Sequence, residues 1–123
     1  MKIEEIKQIF QDEFAPVFSK FEIIAFPITQ ANNFHESTDR PGVYVYWKED
    51  KVIKVGRHLV NARKRALEHI RDNTGGEMAS LRNDLNCWLI LFTVDQNEYH
   101  WAATPEMFLE MKLNPKIKSG RLG

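Results

Sequence analysis

The sequence predicts an α+β fold: three strands with helices around them, and a further helix at the N-terminus. Three observations predict it. The runs Val43-Tyr44-Val45-Tyr46-Trp47 and Val52-Ile53-Lys54-Val55-Gly56 are rich in β-branched and aromatic residues and are separated only by the charged stretch Lys48-Glu49-Asp50-Lys51, the pattern of a hairpin. A third run, Cys87-Trp88-Leu89-Ile90-Leu91-Phe92-Thr93-Val94, is almost continuously apolar, as a central strand covered on both faces requires. Around these runs, apolar residues recur at steps of three and four, the spacing of one helix face.

In chain order, Ile3, Ile6, Ile9 or Phe10, and Phe14 recur at helical spacing, with Lys and Glu between them, until Pro16 interrupts the pattern. Phe21 to Phe26 is a short apolar run with the character of a strand. Pro27, Asn32, Asn33, Ser37, Thr38 and Asp39 then make a polar connection, the segment where order is least expected. Pro41-Gly42 opens the hairpin. From Leu59 to Ile70 the stripe Leu59, Ala62, Ala66, Ile70 predicts a helix with its basic residues off the stripe, ended by Asn73, Thr74, Gly75 and Gly76. A short helix between Glu77 and Asp84 is expected before the central strand. Thr104-Pro105-Glu106 predicts the start of the last helix, with a capping hydroxyl and then Pro at the first helical position, and Asn114-Pro115 predicts its end. No internal repeat appears. Residues 1–39 read as an N-terminal helix and connecting segment, joined to residues 40–123 in one compact unit.

A length of 123 residues with 43% hydrophobic and 28% charged content suits one globular domain. A single cysteine, Cys87, excludes an internal disulfide and agrees with a reducing, cytoplasmic setting. Acids in Met1-Lys2-Ile3-Glu4-Glu5-Ile6 argue against a secretion signal. The apolar uncharged stretch at residues 85–94 is about half of what a membrane helix needs, so no membrane association is expected. The net charge of zero is unevenly spread: residues 1–39 carry 3 Lys or Arg against 7 Asp or Glu, residues 40–71 carry 9 against 3, and residues 72–123 carry 5 against 7. Such a basic segment can offer a face to a polyanion even in a neutral protein. It is also what a solvated helix face between acidic neighbours looks like.

Familiar metal and nucleotide signatures are absent: no Cys pair, no His-Glu-x-x-His helix, no glycine-rich phosphate loop and no Gly-x-Ser-x-Gly elbow. What stands out is an ordered series: Pro41-Gly42-Val43-Tyr44, then Val52-Ile53-Lys54-Val55-Gly56-Arg57, then Asn61-Ala62-Arg63-Lys64-Arg65, with His69 one turn on. After the central strand come Glu106, Met107, Phe108, Leu109 and Pro115.

Over about residues 40 to 118 this series resembles the GIY-YIG nuclease family. The resemblance implies a small three-stranded antiparallel sheet flanked by helices, and metal-dependent cleavage of DNA phosphodiesters. Carried over by position, Tyr44 matches the first family tyrosine, Gly56 the glycine of the second triplet, Arg65 the helix arginine, His69 a position held by Tyr or His, and Glu106 the metal-binding glutamate. Lys54 stands where the family has its second tyrosine, and Arg57 where many members have lysine. The implied catalytic set is Tyr44, Arg57, Arg65, His69 and Glu106, with Glu106 holding Mg2+ or Mn2+. Lys54, Arg57, Arg63 and Lys64 are the implied nucleic-acid contacts, and DNA is the implied partner, with a homodimer or a larger DNA-processing partner as a further expectation.

The chemistry agrees with the residue types. Hydrolysing a phosphodiester needs a base for the attacking water, a cation for the charge that builds on phosphate, and usually a metal held by carboxylate oxygen. Arg65 and His69, four apart, share a helix face, and an arginine fork grips two phosphate oxygens at once. Tyr44 serves as base or proton relay if cations such as Lys54 and Arg57 lower its pKa from about 10, and a desolvated Lys54 is itself a base. Each residue also has a plainer role: Tyr44 as core, Glu106 as a carboxylate favoured at a helix start, Arg65 as a surface cation paired with Glu68 or Asp72. Glu110 competes with Glu106 as the site carboxylate. Lysine at position 54 therefore leaves a second reading open, a catalytically inactive GIY-YIG-like module that binds nucleic acid or a protein partner. A small α+β scaffold of unrelated function is a third.

Overall fold

A computed structural model of the chain describes residues 1–33 and 35–119. Among the described residues, four strands and three helices are arranged as α1 (Ile3–Glu13), β1 (Glu22–Pro27), β2 (Gly42–Lys48), β3 (Lys51–His58), α2 (Ala62–Arg71), β4 (Cys87–Thr93) and α3 (Ala103–Leu113), with short 3₁₀ turns between several of them. All strand pairs are antiparallel and the order in the sheet is β1-β4-β2-β3. The sheet thus has four strands, not three. Phe21 to Phe26 supplies the additional one, and its pairing with β4, Ile24 opposite Leu91, places the most apolar strand inside the sheet. Pro27, at the end of β1, sits where a missing N–H does no harm.

Strand periodicity divides the core into two layers. Val43 and Val45 of β2 and Ile90 and Phe92 of β4 point to one face, where α1 contributes Ile6 and Phe10 and α3 contributes Leu109 and Leu113. Tyr44 and Tyr46 of β2 and Leu89 and Leu91 of β4 point to the other, against Ala62, Ala66 and Ile70 of α2. The expected two-sided covering of β4 is what its continuous apolarity reflects. Phe10 is the centre of an aromatic group, with Phe14, Phe21 and Phe92 at ring-centroid distances of 5.0, 4.9 and 4.6 Å. Residues 1–39 therefore contribute both a helix and a strand to the common core.

The hairpin turn is tight: Glu49 and Asp50 both have positive φ, 49° and 65°, as a two-residue turn matched to strand twist requires. Gly42 is needed for a different reason, since a Cβ there would stand 2.2 Å from the carbonyl oxygen of Phe92.

Boundaries differ from expectation in three places. Helix α2 starts at Ala62, not Leu59, because Asn61 caps it through Oδ1, which accepts the Lys64 N–H at 2.9 Å; Leu59 is exposed. Helix α3 starts at Ala103, in continuation of a 3₁₀ turn over Gln96–Ala102, so Thr104 is inside the first turn and no side chain caps it. Only a 3₁₀ turn, Met78–Leu81, occupies the stretch expected as a short helix. Asn114, with φ 48°, ends α3 as expected.

The polar connection is anchored at its end. Asp39 Oδ1 and Oδ2 accept from Arg63 Nε and Nη2 at 2.6 and 2.9 Å, and Oδ2 also accepts from Asn61 Nδ2 at 3.1 Å. The Ala62 N–H donates to Arg40 O at 2.8 Å. These bonds fix the N-terminus of α2 and so set the helix that carries His69. No helix among the described residues is long and apolar enough to cross a membrane.

Candidate functional site

A small cavity of ≈130 Å³ lies beside the edge strand β3 and is lined by Tyr44, Lys54, Val55, Gly56, His69, Glu106 and Ser119. Register explains how the strand residues arrive there. Directly opposed residues of an antiparallel pair share a face, and Tyr44 is opposite Gly56 while Tyr46 is opposite Lys54. Tyr44, Gly56 and Lys54 thus belong to the side on which α2 packs, and His69 descends from that helix onto Tyr44. Glu106 comes from α3 on the other side, where Arg57, opposite Val43, meets it.

Tyr44 Oη and His69 Nε2 are 2.8 Å apart, and both side chains are buried. The tyrosine ring lies against the backbone of Gly56: a Cβ at that position would be 2.3 to 2.5 Å from Cε2, Cζ and Oη of Tyr44. Glycine is required there because the ring takes the space a side chain would fill. Glu106 is 2% exposed, and its Oε1 accepts from Arg57 Nη1 at 3.1 Å. Lys54 is half-buried and lines the same cavity. The cavity thus gathers a phenol hydrogen-bonded to imidazole, a lysine and a carboxylate held by guanidinium.

Not every expected residue lies there. Arg65 pairs with Glu68 Oε1 at 3.5 Å, the plainer of its two roles, and is not part of the lining. Arg63 has its guanidinium on Asp39 and on the carbonyl of Ala31, 2.9 Å from Nη1. Its charge is spent away from the cavity, where it holds the Asp39 carboxyl down at about 2. Lys64 lines a separate groove on the outer side of α2. Glu110, the competing carboxylate, is 4% exposed one turn beyond Glu106, and its Oε1 accepts the Ser119 N–H at 2.6 Å.

Ser119 has no signal in the sequence. It reaches the cavity because the segment after α3 runs along β3, with Lys116 N–H donating to Val52 O at 3.0 Å and Ile117 N–H to Ile53 O at 2.8 Å, and because Glu110 then holds its backbone. Burial pushes the neighbouring Tyr46 phenol up, and its Oη donates to Ala66 O at 2.5 Å, so of the two β2 tyrosines only Tyr44 has chemistry facing the cavity. Burial likewise pushes the Cys87 thiol up to about 12, which removes it as a nucleophile at neutral pH.

Among the described residues no group of three or more His, Cys, Asp or Glu is placed to hold a metal. Glu106 is the one carboxylate in the lining of the cavity, and carboxylate oxygen is the donor type that a hard divalent ion such as Mg2+ takes. Comparison with known proteins returns no family model, no curated protein and no solved structure that matches this chain.

Proposed function

We propose that this protein is a metal-dependent endonuclease of the GIY-YIG type that hydrolyses phosphodiester bonds in DNA. The observation that carries the reading is the buried Tyr44–His69 hydrogen bond of 2.8 Å, opening on a cavity that also holds Lys54 and Glu106. A base, a cation and a carboxylate at one small cavity are what hydrolysis of a phosphodiester asks for.

The volume of ≈130 Å³ admits a few waters or a phosphate-sized group and no nucleotide. The substrate backbone therefore presents one phosphate to the cavity from outside. A water beside Tyr44 Oη attacks phosphorus and gives its proton to the Tyr44–His69 pair, while the bond from phosphorus to the leaving oxygen breaks. Lys54 stabilises the charge that accumulates on the phosphate oxygens. Glu106 would hold Mg2+ or Mn2+, whose chemistry there is Lewis-acid stabilisation of phosphate. Arg57 holds that carboxylate in place. Arg65 takes part in gripping phosphate once it leaves Glu68.

Nicking of supercoiled plasmid by wild type and Glu106→Ala, with Mg2+, with Mn2+ and with EDTA, tests the reading. Metal-dependent nicking by wild type that disappears in a folded Glu106→Ala supports it. Absence of nicking under all conditions by well-folded wild type overturns it. One observation favours a second reading, a non-catalytic module that binds nucleic acid: Lys54 replaces a tyrosine and Arg65 is engaged by Glu68 away from the cavity. Salt-dependent DNA binding without turnover is its signature.

A further inference from the structure

We infer that the outer flank of α2 carries a second polyanion site, a groove that takes the sugar–phosphate backbone of DNA away from the Tyr44–His69 cavity. The inference rests on the nucleic-acid reading above and assigns a surface away from its cavity, joining Arg82 to the implied contact Lys64. The groove has a volume of ≈420 Å³, and Lys64, Arg71 and Arg82 line it together with a single carboxylate, Glu68. Arg82 comes from the far side of the 3₁₀ turn Met78–Leu81, so nothing in the sequence links it to Lys64. The fold alone makes them neighbours.

The charges in the groove are unequal in their availability. Glu68 faces Arg65 at 3.5 Å, which offsets its charge. Arg71 has Nε and Nη2 on Asp72 at 2.8 and 3.1 Å. Lys64 and Arg82, both exposed, have no carboxylate partner among the described residues. A groove with two uncompensated cations attracts an anion.

The spacing selects the kind of anion. Lys64 and Arg71 are seven residues apart, which puts them about 20° from each other around the helix and about 10.5 Å apart along it. That separation is too large for the two to converge on a single phosphate. Cations spread along a groove suit a row of phosphates, whereas a lone phosphate is held by cations converging on one point. Ile28, Leu67 and Ile70 also line the groove, with Ile28 and Ile70 belonging to the core beneath it. His69 lies about 160° around the helix from Arg71, so these two side chains leave α2 on opposite sides.

Fluorescence anisotropy of a labelled DNA duplex in EDTA, titrated with wild type and with Lys64→Ala/Arg82→Ala at several salt concentrations, tests the inference. Both residues are exposed, and an unchanged melting temperature checks that the variant is folded. Loss of two phosphate contacts is expected to weaken binding roughly tenfold at low salt and to reduce the slope of log K against log salt by about 1.8. Equal affinity and equal slope in the two proteins overturn the groove while leaving the nuclease reading intact. Weaker binding with an unchanged slope also overturns it, because the lost contacts would not be ionic. A wild type that binds no duplex even at low salt overturns the nucleic-acid reading and the groove with it.

Discussion

Tyr44 Oη and His69 Nε2 stand 2.8 Å apart where Tyr44 keeps 1% and His69 7% of its exposure. A phenol and an imidazole in such contact exchange a proton without crossing solvent, and the low local dielectric strengthens the bond between them. Tyr44→Phe keeps the ring that packs on Gly56 and removes only the hydroxyl. The expected result is a loss of metal-dependent nicking of about 100-fold or more, with a stability loss of roughly 1–2 kcal/mol from removal of the phenol–imidazole bond. Single-turnover nicking together with urea denaturation measures both, and wild-type nicking by Tyr44→Phe would remove the tyrosine from the mechanism.

The Arg57–Glu106 pair joins β3 to α3 at 3.1 Å, with the carboxylate almost fully buried and the guanidinium partly exposed. Removing either partner costs more than removing both, since the remaining charged group keeps its desolvation penalty. Arg57→Ala, Glu106→Gln and the double variant form a cycle with an expected coupling of about 1–3 kcal/mol. Denaturant melts of the four proteins check it. Additive stabilities would show that the two side chains contribute separately.

Periodicity makes the two core layers legible in the sequence. Val43 and Val45 alternate with Tyr44 and Tyr46, and that alternation is the division between the layers. The spacing of Ala62, Ala66 and Ile70 marks the buried face of α2, and His69, beside that stripe, follows it into the core. Strand β1 is less legible because Ile23, Ile24, Ala25 and Phe26 are all only half-buried. The run shows no alternation, and its pairing is with a strand far along the chain, Glu22 with Thr93 and Pro27 with Trp88. Leu59 continues the α2 stripe in spacing, but Asn61 cuts the helix off by capping it. In the site, hairpin register brings Tyr44, Lys54 and Gly56 together, and that register follows from the pattern of the two runs. The pairing of Arg65 with Glu68 follows from i,i+3 helical spacing, whereas the position of Arg63 follows from no pattern, because it is decided by a carboxylate far away in the chain, Asp39. Ser119 depends on a backbone bond to Glu110, which no side-chain pattern announces.

Gly56 tests the geometry of the cavity without touching a charged group. Adding one methyl group there places carbon 2.3 Å from Tyr44 Cε2, so the ring has to move away from β3, and its hydroxyl moves with it from His69. Overpacking of this kind costs about 1–3 kcal/mol. Gly56→Ala is expected to fold with a lowered melting temperature and to lose nicking out of proportion to its stability. The comparison is made well below the melting point of the variant. Full activity in a destabilised Gly56→Ala would mean that the position of the Tyr44 hydroxyl does not matter.

The Asp39–Arg63 pair gives a prediction about pH. The Arg63 guanidinium beside Asp39 holds its carboxyl at about 2, below the ordinary value of 3.8. A carboxyl whose pKa is depressed on folding contributes stability above its unfolded pKa and loses that contribution as pH falls through the folded one. The contribution is thus complete above about pH 4 to 5 and is lost between about pH 4 and 2. Because the pair keeps some contact with solvent, its size is roughly 1–2 kcal/mol. Asp39→Asn retains the shape and removes the charge, so the stability difference between wild type and variant is expected to be constant from about pH 8 to 5 and to close toward about pH 2. Denaturant melts across that range measure the difference directly. The variant should also show a loosened α2 N-terminus, visible as faster amide exchange at Ala62 and Lys64, since Asn61 and Arg63 both lean on Asp39. A difference that does not change with pH would assign the stabilisation to shape and hydrogen bonding and not to charge.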